Sequence, residues 1–127
     1  MGGRRILRSD RGSVTIEFFL VVPLLILVLA AGVQVISAAR ARIELVGAVR
    51  EGARVAATTP DPARAIDAVR AAMPPRDRDR VRITVSRPAV VGRPARVTAS
   101  MRHEFVVPWL DAFGVDLSAS ASMLVER

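Results

Sequence analysis

The run from Phe18 to Ala39 contains no charged residue, and Gln34 and Ser37 are its only clearly polar side chains. As a helix rising about 1.5 Å per residue, this run reaches roughly 33 Å. A bilayer hydrocarbon core is about 30 Å thick. Two other readings compete with a membrane span. A core helix of a soluble protein rarely stays apolar on all faces for so long in a chain of 127 residues, which has room for one small domain. A cleaved secretory signal has an apolar stretch of about 7–15 residues closed by a small-residue cleavage site. Here the run is longer and passes, with no turn signal, into the helix-favouring stretch Arg40 to Ala57. A retained single span is the reading the residues favour.

Charge adds orientation and excludes some functions. The formal net charge is +7, and every basic residue is arginine. The absence of lysine points to compositional bias in the source genome as much as to function. The arm before the span carries Arg4, Arg5, Arg8 and Arg11 against Asp10. Such an arm is expected in the cytoplasm, although Arg40, Arg42, Arg50 and Arg54 beyond the other end keep the count from deciding alone. Basic proteins bind anionic lipid or nucleic acid. The acids are interspersed here, as in Pro75-Arg-Asp-Arg-Asp-Arg80, which reads as a solvated turn, so no nucleic-acid partner is expected. There is no cysteine, which removes disulfides and thiol metal sites. No cofactor or metal is expected.

The chain divides into a basic arm (1–12), a membrane helix (13–39) and a domain outside the cytoplasm (40–127). The helix is expected to start near Ser13, with Ser13 or Thr15 capping its first turn. Pro23 removes a backbone hydrogen bond inside the span, and a mild kink is expected there. The helix then continues over 40–57. Leu45, Val49, Gly52 and Ala56 share one face. Ala48, Gly52 and Ala56 form a row of small residues that lets a neighbouring backbone come close. That neighbour is either the chain's own sheet or another subunit. Thr58-Thr-Pro-Asp-Pro62 stops the helix.

Asp61 and Pro62 open a short second helix over 62–73, with Ile66, Val69 and Met73 on one face and Pro74-Pro75 ending it. Strands are expected over 80–86, 96–107 and 116–126. Val81, Ile83 and Val85 alternate with Arg82, Thr84 and Ser86. Arg87 to Pro94 supplies a hairpin connection. Val97, Ala99 and Met101 face one way, with His103 at the end of their row. Leu117, Ala119, Ala121, Met123 and Val125 repeat the pattern. Trp109 and Leu110 are expected to anchor the intervening loop on the core. The fold class is α+β: a long N-terminal helix, a short second helix and an antiparallel sheet of about three strands.

Function concentrates at the mouth of the span, in Arg11-Gly-Ser-Val-Thr-Ile-Glu-Phe18. Glu17 is a carboxylate entering an apolar helix. At a bilayer centre a charge costs about 2.5–3.5 kcal/mol on insertion scales, and less near the interface. Taken alone, Glu17 is equally well read as reaching back to the headgroups. Its surroundings tip the balance. The basic arm ends in Gly12, Glu17 is the fifth residue after it, and a long apolar helix with a proline follows. This resembles a class III signal of the type IV pilin kind. The chain as a whole resembles the TadE-like family of pilin-like proteins of the tight-adherence (Flp pilus) system. The resemblance rests on Arg11 to Phe18, on Val22-Pro-Leu-Leu25 and on Ala48-Val-Arg-Glu-Gly-Ala-Arg-Val-Ala-Ala57. It is weaker in the alternating stretch Ser118 to Glu126.

The resemblance implies a pilin-like fold and a minor pilin or pseudopilin held in the cytoplasmic (inner) membrane, with the arm inside and the domain outside. It implies a prepilin peptidase that cuts between Gly12 and Ser13. It implies further partners: other pilin-like subunits and the Tad secretion ATPase and platform machinery. In an assembled fibre, Glu17 of one subunit would pair with the freed Ser13 amine of a neighbour, with Phe18 beside it. Pairing relieves the cost of an isolated charge in an apolar setting. A pseudopilin of a related type II-like secretion system and an unprocessed membrane-anchored binding module are the alternatives. An enzyme is not expected. His103 is the single histidine, and Glu104 beside it in a strand points to the opposite face.

Overall fold

The computed structural model describes residues 11–105 and 114–126, with side chains from Thr15 onward. Trp109, Leu110 and the arm before Arg11 lie outside the described residues. The chain forms two compact units, one ending at Val35 and the other covering Ile36–Arg127. The first helix, α1, runs Arg11–Thr58 (48 residues) with Pro23 inside it. The expected start near Ser13 is corrected: Arg11 is already helical, so Ser13 and Thr15 lie inside the helix and cannot be its caps.

In the first unit α1 is apolar on nearly every side beyond Glu17, and among the described residues most of its large apolar side chains stand exposed, with Gln34 the buried exception. Phe19 is 79% exposed and Leu29 63% exposed. An all-apolar helix without a protein cover is stable only in an apolar solvent. Thr15–Thr58 contains a window long and apolar enough to cross a membrane.

The second unit is the α+β domain. α2 spans Pro62–Ala72, and Asp61 accepts a hydrogen bond from the Ala63 N–H at 2.9 Å. The C-cap is Met73. β1 (Arg82–Ser86), β2 (Pro94–His103) and β3 (Val115–Leu124) form one antiparallel sheet in the order β1-β2-β3. Arg82 pairs with Ser100, Val97 with Ala121, and Arg102 with Asp116. β1 begins later than expected because Arg80 closes a turn onto the Asp77 carbonyl at 3.1 Å. β2 ends at His103 rather than Val107, since His103 pairs with Val115, the first residue of β3. Gly92 turns the β1–β2 connection at φ 81, a conformation that favours glycine.

One sheet face closes the core. Val97, Ala99 and Met101 pack with Leu45, Val49 and Ala53 of α1 and with Ala65, Val69 and Met73 of α2. Many core positions are alanine, so the elements approach closely and each contact buries little area. Met123 departs from expectation. It is 40% exposed although it shares the inward register of Leu117, because β3 is an edge strand near the end of α1. The opposite sheet face is polar, with Arg82, Arg96 and Arg102 set among threonines and serines.

Candidate functional site

The candidate site is the start of α1. Gly12 and Ser13 fall within its first turn by backbone position. Glu17 is exposed, and so are its neighbours Ile16 (67%) and Phe18 (69%). Among the described residues no hydrogen bond or ion pair engages the Glu17 carboxylate. On a helix the residues three and four positions on share a side, so Leu20 and Val21 flank Glu17 toward the span, and neither offers it a cation. Chemically, this is a lone anion on an apolar rod. It can be neutralised by a headgroup or by a cation on another chain.

The small-residue row is placed by the second unit. Ala48, Gly52 and Ala56 are buried inside the chain's own core. A Cβ on Gly52 would meet the Val69 side chain of α2, the Ala65 carbonyl oxygen at 3.2 Å and Val97 of β2 at 3.5 Å. The close approach that the row permits is thus to α2 and β2.

One pair lay beyond the reach of the sequence. Ser37 Oγ and His103 Nε2 are 3.4 Å apart, the direction of the hydrogen bond depending on the imidazole tautomer. The Phe105 ring meets His103 edge-on, with centroids 6.2 Å apart. Ser37 is one of two polar residues in the apolar run and His103 is the only histidine. The signal available was that two such exceptions need partners, but nothing in their spacing joins them. Glu104 instead faces Arg80 at 3.4 Å, so histidine and glutamate have separate partners. Among the described residues no group of three metal-ligating side chains occurs.

Further along α1, Arg54 is bonded to Glu51 through both guanidinium and carboxylate edges. This hydrogen bond holds the Glu51 carboxyl below its ordinary value and raises Arg54, with their mutual charge adding to both.

A family model described as TadE-like protein matches residues 12–54. Over this segment, about a third of its length, the chain is similar to TadE-like proteins. The TadE-like match opens at Gly12, takes in Glu17, Pro23 and the buried Gly52 and Ala53, and closes at the exposed Arg54. It covers the helix alone, and α2 and the sheet lie beyond it. No curated protein and no solved structure matches the chain.

Proposed function

We propose that the chain is a TadE-like minor pilin or pseudopilin, a structural subunit in the assembly of tight-adherence (Flp, type IVb) pili. The observation that carries this reading is the TadE-like match beginning at Gly12, five residues before Glu17, an exposed carboxylate that pairs with no described residue. The N-terminal part of α1 anchors the chain in the cytoplasmic membrane. The arm is cytoplasmic, and the α+β domain is outside. A prepilin peptidase hydrolyses the Gly12–Ser13 amide, which leaves an amine at Ser13. The resulting ammonium offers a cation to Glu17 of a neighbouring pilin-like subunit, a carboxylate that no described residue of its own chain pairs with. Because an unpaired charge in an apolar setting is costly, the pairing favours one axial register during assembly by the secretion ATPase and platform. No catalytic role is assigned to the chain.

Co-expression with a prepilin peptidase tests the first step by intact mass. The expected mature chain begins at Ser13, and Gly12→Val should abolish the conversion. A chain that keeps its arm in the presence of an active peptidase overturns the processing step and leaves an unprocessed membrane-anchored module.

A further inference from the structure

The apolar run ends at Ala39, inside the second unit. The level at which α1 leaves the bilayer is therefore set within that unit. The Ser37–His103 contact brings the end of β2 to the same level. The other end of the sheet is tied to the far end of α1. Arg87 Nε donates to the Ala56 carbonyl at 2.8 Å, and the Glu126 N–H donates to the Ala57 carbonyl at 3.2 Å. From Ser37 to Ala57 the helix rises about 30 Å. From Arg93 to His103 an extended chain covers about 33 Å. The two lengths agree, so β2 runs back beside α1 and its His103 end is the membrane-proximal end.

That end of the open sheet face holds a hollow of about 550 Å³ lined by Arg80, Arg82, Ser100, Met101, Arg102 and Asp116. Three cations stand there against one carboxylate. Arg80 is engaged by Glu104, but both are exposed, and such pairs are weak. Among the described residues no carboxylate comes within ion-pair distance of Arg82 or Arg102. Arg40 and Arg42, also exposed, occupy the first positions of α1 after the apolar run. A headgroup layer extends about 5–7 Å beyond the hydrocarbon on each side. Arginine at this depth meets lipid phosphate, for which its planar fork is suited.

We infer that the membrane-proximal end of the sheet docks on anionic phospholipid headgroups, with a lipid phosphate held in the hollow between Arg82 and Arg102. Ser100 offers a hydroxyl to a further phosphate oxygen, and Arg40 and Arg42 add attraction from the helix side. The domain is then seated on the bilayer surface. This inference rests on the membrane-anchored reading above.

The test uses the full chain in phosphatidylcholine vesicles with and without phosphatidylglycerol, read by amide hydrogen exchange over residues 80–84 and 98–102. Exchange is expected to slow with phosphatidylglycerol, and each arginine removed should reduce that preference about fivefold. The double variant R82Q/R102Q should lose most of the effect, whereas R82K/R102K, which keeps the charge, should retain it. Circular dichroism of both variants confirms that the fold survives. Equal exchange in the two lipids overturns the inference, as does full protection of R82Q/R102Q. The same protection from inorganic phosphate with phosphatidylcholine alone assigns the hollow to free phosphate and overturns the lipid docking. A chain stripped from vesicles by carbonate wash overturns the membrane reading itself, and this inference with it.

Discussion

At the scale of single residues, the role proposed for Glu17 separates insertion from assembly. Near an interface its charge costs little, so Glu17→Ala should leave membrane fractionation unchanged while pilus formation is lost. Normal pili from that variant would remove its pairing role. Glu51 makes a prediction of a different kind. Its carboxyl is held below the ordinary value by Arg54, so the pair contributes stability above the unfolded-state value. That contribution is lost as the pH falls through the folded-state value. Thermal midpoints followed from neutral to acid pH should fall more for the wild type than for Glu51→Gln, by a small margin because both groups are exposed. Glu17 was legible in the sequence because a charge in an apolar run stands out by itself. Ser37 and His103 were not, because their partnership spans 66 positions and each residue type alone has many uses.

At the scale of elements, two glycines of α1 behave oppositely. Gly47 has open space where a Cβ would stand, whereas Gly52 has Val69 and a backbone carbonyl. Gly47→Ala should stabilise the detergent-solubilised chain by up to about 1 kcal/mol through helix propensity. For Gly52→Ala, overpacking of about 1–3 kcal/mol exceeds that gain and the thermal midpoint should fall. Leu45, fully buried, should cost about 2–5 kcal/mol as Leu45→Ala. The helices and the alternating strands were readable because period and capping are local properties: Asp61 with Pro62, and Val97-Thr-Ala-Ser-Met101. Strand ends were less readable. Where β2 stops depends on where β3 begins, and Met123 is half open because no described element lies beyond the β3 edge to cover it. The row Ala48, Gly52 and Ala56 announced a close neighbour, but which neighbour is a property of the folded chain.

At the scale of the whole molecule, the lack of cysteine is an experimental advantage. Ser118 is exposed on the open sheet face, so Ser118→Cys introduces the only thiol. A membrane-impermeant maleimide should label it in intact spheroplasts if the domain is outside, and only after lysis if it is inside. The arrangement of the domain along α1 also has a mechanical meaning. The sheet is fastened to the helix at Ser37 and again at Ala56 and Ala57, with the packed core between. Like a splint bound at both ends, it has no loose end from which to peel. A pull along that stretch of helix loads both fastenings and the core between them together, so giving way requires shear of the whole contact in one event. Resistance of that kind is set by the height of the unfolding barrier rather than by equilibrium stability, and it suits a part that must transmit tension without lengthening.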